Sequence, residues 1–269
     1  MERRRKVNAP ANAPILRIEG LTKHFGGLTA VDDVTLEFAP GRLHAIIGPN
    51  GAGKTTLFNL ISGFLPSDSG RVFFAGREIT GLKPHRISRL GIARTLQVKS
   101  VFHQLSVADN LWITAQAQRG VLNPFRSTTS YRETCEKVER VLEQLGLAAL
   151  ANQQAGTLSH GDIALLEIGM AISAEPKLLL LDEPICGMSP AETARTVAKI
   201  RELAQTIEIV LIEHDMEVVF EIADDITVMA QGAILASGSP QAIAADERVR
   251  EAYLGRAEDE DYIEEPVRA

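Results

Sequence analysis

The sequence predicts an α/β protein built on a parallel sheet, and three observations carry that prediction. "RLHAIIG" (42–48) is an apolar run ending in glycine, and a helix-compatible "KTTLFNLISGF" follows a short turn. "KLLLLDEP" and "IEIVLIEHD" are continuous runs of Leu, Ile and Val, the form taken by strands buried on both faces of a parallel sheet. Between them "SPAETARTVAKIRELAQT" has helical spacing, which completes a β-α-β unit.

The remaining elements follow in order. "MERRRKVNAPANAP" (1–14) is basic but has no apolar h-region, so it reads as a disordered leader and not as a secretory signal. "ILRIEG" and "VTLEF" read as short strands with "APG" as a turn after the second, and "GRVFFAGREI" reads as a further strand. From about 87 to 150 the spacing is mostly helical. "YRETCEKVERVLEQLGL" follows a turn-rich "GVLNPFRSTTS", with Gly146 as its C-cap. This predicts a helical subdomain over about 87–160, inserted into a single domain spanning 15–256. "DITVMAQGAILASG" predicts a hairpin turning at Gln231-Gly232, and the acidic residues 257–269 a disordered tail. No internal repeat is present.

Composition narrows the classes. A chain of 269 residues buries a substantial core, and 45% hydrophobic with 23% charged residues is ordinary for a globular protein. A net charge of -7 without a Lys/Arg stripe argues against a nucleic-acid partner. Two cysteines, Cys135 and Cys186, suit a reducing compartment and exclude a disulfide framework. No apolar stretch approaches the ~20 residues that cross a bilayer, so a cytoplasmic chain is expected.

The chemistry concentrates in a few stretches. "GPNGAGKT" (Gly48, Pro49, Asn50, Gly51, Ala52, Gly53, Lys54, Thr55) fits G-x-x-x-x-G-K-[ST] in full, and Thr56 follows it into the helix. Glycines let backbone N–H groups converge on a phosphate, the helix adds its positive end, Lys54 reaches the β- and γ-phosphates and Thr55 offers a hydroxyl to Mg²⁺. A nucleoside triphosphate is the expected ligand. Asp182 ends "LLLLD", where a carboxylate holds Mg²⁺. Glu183 beside it is the candidate general base, although the pair also reads as acids ending a strand before Pro184. His214 closes "IEHD" at the carboxyl end of a strand, which faces the ligand crevice of an open parallel sheet. Gln97 in "ARTLQ" is a candidate sensor of Mg²⁺ or water. In "TLSHGDIALLEIG" (157–169), Ser159 and Asp162 form an S-x-x-D helix start, which by itself is only a cap.

The phosphate loop, Gln97, "LSHGD" with "LLLLDEP" close behind it, and "IEHD", in this order and spacing, resemble the ATP-binding subunit of ABC transporters over about 15–255. The resemblance implies a P-loop core with an antiparallel β subdomain and an inserted helical subdomain. It implies ATP and Mg²⁺ as cofactors, with Thr55, Gln97 and Asp182 toward the metal. Glu183, His214 and Gln97 are then the catalytic set, and Phe25 in "KHFGG" the ring that stacks on adenine, against its plain reading as a core phenylalanine. "LSHGD" stands where the family usually carries LSGGQ, so Ser159 and Gly161 would close in trans over ATP held by a second subunit. His160 and Asp162 depart from that pattern, as does Ser189, where many such subunits have an aspartate.

"LTKHFGGLTAVDDV", "GIARTLQ", "IEHDM" and "EAYLG" resemble the larger ATPase of branched-chain amino acid importers, while "LSHG", "EIGM" and "CGMSP" resemble the related urea-uptake ATPase. The resemblance implies two membrane permeases, a second and shorter ATPase, an indirect link to a periplasmic binding protein, and a place on the inner face of the cell membrane. "VKSVFHQLSVADNL" is the candidate permease contact. Lipopolysaccharide-export-type ATPases and a weakly hydrolysing regulatory subunit remain as alternatives.

Overall fold

The computed structural model describes residues 13–95, 101–117 and 128–254. Gln97, residues 1–12 of the leader and the acidic tail lie outside them. Two compact units are present: one holds the chain up to Lys83 together with the chain from His214, and the other is Pro84–Glu213.

In the first unit, β1 (Leu16–Phe25) and β2 (Leu28–Phe38) form a long antiparallel hairpin turning at Gly26-Gly27. The expected short strands are therefore only parts of ribbons of 10 and 11 residues. The inward residues Leu16, Ile18, Leu21, Val31, Val34 and Phe38 are at most 1% exposed, the alternation of a half-buried sheet. Next, β3 (Leu43–Ile47) is buried throughout and runs into the glycine-rich loop and α1 (Lys54–Ile61). "GRVFFAGREI" is not one strand. It is a hairpin of β4 (Ser69–Phe74) and β5 (Arg77–Glu78), because Ala75 and Gly76 both adopt positive φ (47° and 76°), the backbone of a tight two-residue turn. The antiparallel sheet runs β2-β1-β4-β5.

The second unit opens with α2 (Pro84–Leu90) and β6 (Ile92–Arg94), a short strand inside the stretch read as helical. Its helices are α3 (Val107–Ala117), α4 (Thr128–Leu145) and α5 (His160–Ile172). Gly146 takes φ 70° after α4, and the Leu147 N–H returns to Leu142 O at 2.8 Å, the helix-ending geometry expected there. Then come β7 (Leu178–Asp182), α6 (Pro190–Ala204) and β8 (Glu208–Ile212). Strand β7 pairs in parallel with both β6 and β8. Leu178, Leu179, Leu180 and Leu181 are all 0% exposed. Each such side chain stabilises by about 1.5–3 kcal/mol relative to exposure, which anchors the carboxyl end of β7 where Asp182 emerges.

The chain returns to the first unit through α7 (Met216–Ile222), the hairpin β9 (Asp225–Ala230) and β10 (Ala233–Gly238), and the short helices α8 (Pro240–Ala245) and α9 (Glu247–Leu254). Gln231 and Gly232 take φ 50° and 85°, so the hairpin turns where the sequence places it. β9 runs parallel to β3, and the pair is locked at its start: the Leu43 N–H donates to Asp224 Oδ2 at 2.7 Å and the Asp224 N–H to Leu43 O at 2.8 Å. No helix among the described residues is long and apolar enough to cross a membrane.

Candidate functional site

In the first unit, β3 delivers Gly48 buried and the loop then rises to exposed Asn50 and Gly51. Gly48 has φ 151°, and a Cβ there would stand 2.1 Å from the carbonyl oxygen of Met229 on β9. Only glycine fits this approach of backbone to backbone. Lys54 is 7% exposed and curls back over the loop, its Nζ donating to Gly48 O at 2.6 Å and Pro49 O at 3.1 Å.

The start of α1 is distinctive. Ser159, Ser189, Asp215 and Ser239 each cap a helix with a side-chain oxygen, whereas α1 begins at Gly53 with no side-chain cap and no acidic residue in its first turn. An uncapped helix start beside a buried lysine and a hydroxyl, Thr55, fits an anion of the phosphate kind. Tyr253 of α9 belongs to this unit too: burial pushes its phenol up to about 12, with the Gly48 backbone against it working the other way. Phe25, at the tip of the β1–β2 hairpin, is 48% exposed with Lys23 Nζ 5.8 Å from its ring centroid. That excludes the core-phenylalanine reading and leaves a ring face open to stacking. His214 is exposed, and Asp215 caps α7 by accepting the Val218 N–H at 3.2 Å.

In the second unit, Asp182 is 5% exposed at the end of β7. Its Oδ2 accepts from Arg94 Nη2 at 2.8 Å, and its buried Oδ1 has no hydrogen-bond partner. Such an oxygen fits a hard cation. Among the described residues no three His, Cys, Asp or Glu converge as a metal cage. A single carboxylate of this kind fits Mg²⁺, which commonly takes one or two carboxylates plus substrate phosphates.

Glu183 turns away from the strand with φ 50°, a left-handed conformation that costs a non-glycine residue of order 1–3 kcal/mol. Two contacts hold it. The Glu183 N–H donates to Ile212 O at 2.9 Å, and fully buried Glu213 accepts the Ile185 N–H at 3.2 Å. Sequence reasoning passed over Glu213, because a carboxylate inside "LIEHD" carries no local sign of its use. Asp182, Glu183 and His160 line one cleft of about 340 Å³ with Thr95, Glu167 and Met188.

"LSHGD" begins α5 as expected, with Ser159 as N-cap accepting the Asp162 N–H at 3.2 Å. The reciprocal half of the capping box differs: the Asp162 carboxylate accepts the Ser159 hydroxyl at 3.1 Å and pairs with Arg195 at 2.8 Å. The negative charge of Asp162, one of the departures from the family pattern, is thus offset by a guanidinium on α6. The complete capping box is at Ser189, whose side chain and backbone both bond Glu192.

Glu192 was missed by sequence reasoning. Its Oε1 accepts the Gly161 N–H at 3.1 Å, and Oε2 accepts from the Ser189 N–H at 3.0 Å and Ser189 Oγ at 2.7 Å. Donation from the Ser189 hydroxyl and backbone, and from the Gly161 N–H, lowers this carboxyl from 4.5 to about 2. One carboxylate therefore lies across the starts of both α5 and α6, which favour negative charge. The S-x-x-E spacing at 189–192 announces the cap on α6, but nothing local announces the bond to Gly161. Because its native value is depressed, the contribution of Glu192 to stability is fully present above 4.5 and is lost as pH falls toward 2. A carboxyl NMR titration should place the Glu192 midpoint near 2, and a midpoint near 4.5 would show these bonds absent in solution.

In the candidate permease contact, Val98–Ser100 lie outside the described residues. Phe102 is 50% exposed, and fully buried Asn110 pins its loop, accepting the Phe102 N–H at 2.8 Å and donating to Phe102 O at 3.1 Å.

A family model described as ABC transporter matches residues 31–186, and one described as branched-chain amino acid ATP-binding cassette transporter matches 233–259. The chain is 40% identical to the high-affinity branched-chain amino acid transport ATP-binding protein BraF of Pseudomonas aeruginosa, over 91% of this chain and 99% of that protein. It is 39% identical to LivG of Escherichia coli, with the same coverage. Of solved structures, it is similar to an ATP-binding cassette of an ABC transporter in its ADP conformation, with a TM-score of 0.80, 35% identity, and 90% and 99% of the two chains covered. A nucleotide-free cassette gives 0.79 and 35%, with 89% and 98% covered. A glycine-rich loop leading into an uncapped helix, and a buried strand ending in Asp182-Glu183, are therefore parts of a shared cassette: the chain belongs to the ABC transporter family, as one of its ATP-binding subunits, an ATPase coupled to transport.

Proposed function

We propose that this subunit powers an importer of branched-chain amino acids. The match of residues 233–259 to the branched-chain cassette model carries the reading, and it lies outside residues 31–186, which the general ABC transporter model matches. The names of the relatives support the same solute class.

The site residues take these roles in the proposal. Gly48–Thr56 wrap the phosphates, and Lys54 exchanges two neutral carbonyls of its own loop for phosphate oxygens, a stronger charge-assisted partner. Phe25 stacks on adenine. Asp182, Thr55 and Gln97 hold Mg²⁺, which supplies charge neutralisation at the phosphates when bound. Glu183 takes the proton of the attacking water, and His214 steadies that water and the γ-phosphate. Ser159 and Gly161 act in trans on a nucleotide held by a second ATPase. Glu192 then yields the Gly161 N–H to that nucleotide.

The expected partners are two permeases and a different, shorter ATPase, with a periplasmic binding protein linked through the permeases. The subunit works peripherally at the inner face of the cell membrane. Pull-down of the tagged chain from native membranes in mild detergent should recover two permeases and the shorter ATPase. The cognate binding protein should then bind leucine, isoleucine or valine. A binding protein that takes urea would move the solute and keep the ATPase, while recovery of soluble partners alone would overturn the importer.

A further inference from the structure

We propose that Arg94 is a positioning residue for the metal-facing carboxylate of Asp182, an inference that rests on the reading of Asp182 as a Mg²⁺ ligand. Arg94 is the last residue of β6, which pairs with β7 in the register Arg94↔Leu180. From there its side chain reaches two residues along β7 to Asp182. Both side chains are buried, at 6% and 0% exposure, and they meet through Nη2 and Oδ2 at 2.8 Å.

The neighbouring residue completes the grip. The Thr95 N–H donates to Leu180 O at 3.0 Å, and Thr95 Oγ1 accepts the Asp182 N–H at 3.2 Å. Asp182 is thereby fixed at its backbone and at one carboxylate oxygen. The other oxygen, Oδ1, is buried and has no hydrogen-bond partner.

That asymmetry carries the inference. A guanidinium and a carboxylate commonly meet fork to fork, satisfying both oxygens. A buried ion pair placed only for stability has every reason to do so, since each unsatisfied buried oxygen carries a desolvation cost. Here Arg94 bonds Oδ2 and leaves the buried Oδ1 without a hydrogen bond, which suits a divalent cation bound by a single hard oxygen. An outer partner that holds a ligating carboxylate in one orientation typically changes metal affinity by 10- to 100-fold when removed.

The test uses full-length protein with a non-hydrolysable ATP analogue. Mn²⁺ affinity is read by electron paramagnetic resonance, and analogue affinity is read separately in EDTA. Arg94→Met and Asp182→Asn should each weaken Mn²⁺ binding by about 10-fold and leave metal-free analogue affinity within about two-fold. Arg94→Lys, which keeps the charge and loses the fork, should fall between wild type and Arg94→Met.

Normal Mn²⁺ affinity in Arg94→Met with weakened affinity in Asp182→Asn would overturn the role of Arg94 alone. Normal affinity in Asp182→Asn would overturn the metal role of Asp182 and the inference with it. An equal loss of metal and metal-free nucleotide binding in Arg94→Met would make Arg94 a packing residue. If Arg94→Met does not fold, Arg94→Lys decides, and an unchanged Mn²⁺ affinity there overturns the proposal.

Discussion

Replacing Glu183 with Gln lowers ATP turnover by roughly 100- to 10,000-fold, the usual contribution of a positioned general base, and leaves nucleotide binding in place. The substitution is nearly isosteric, so the left-handed turn at φ 50° and the Glu183 N–H bond to Ile212 O persist. What is lost is the ability to accept a proton. Single-turnover hydrolysis, with bound nucleotide quantified in parallel, separates chemistry from binding. A rate equal to wild type would remove Glu183 as the base and would favour a subunit whose hydrolysis depends on another group. The strained turn supports the assignment, since such conformations cluster at functional sites. The turn that follows it is tied down by Glu213, which is 0% exposed and accepts the Ile185 N–H.

Gly48→Ala destabilises the protein by at least ~2 kcal/mol and abolishes nucleotide binding. The new Cβ would stand 2.1 Å from Met229 O, and the neighbour in the way is the backbone of a buried strand, not a side chain that can swing aside. Either β3 and β9 separate or the loop leaves its place over Lys54, and either outcome removes the phosphate cradle. Gly51→Ala is the control. It also has positive φ, 79°, but nothing lies within 4 Å of its added Cβ, so the expected cost is only the ~1 kcal/mol or so of an unfavourable backbone region. Urea unfolding distinguishes the two, and titration with a fluorescent ATP analogue checks the loss of binding in Gly48→Ala. Equal effects at both positions would show that conformational freedom, not close approach, makes Gly48 necessary.

The sequence was most legible where one local constraint sufficed. Continuous Leu and Ile runs announce β7 and β8 because a strand buried on both faces leaves no room for polar residues. "GPNGAGKT" announces its loop because phosphate recognition by backbone needs glycines and one lysine at fixed spacing. Gln231-Gly232 announces a hairpin because both positions need positive φ. The same rule also applied at Ala75-Gly76, where alanine hid the turn and two strands read as one. The β1–β2 ribbon was read short because "TKHFGGLTAVDD" mixes polar residues into strands with one exposed face.

What tertiary structure alone decided are the partners of charges far apart in sequence. The chain by itself determined a glycine-rich loop entering a helix, a carboxylate pair and a helix start at Ser159. It did not determine that Arg94 holds one oxygen of Asp182, that Arg195 offsets Asp162, or that Glu192 lies over Gly161. Local motifs are legible because backbone geometry acts over a few residues. Electrostatic pairing depends on which side chains the packed sheet and helices bring within about 3 Å, and no spacing along the chain encodes that distance.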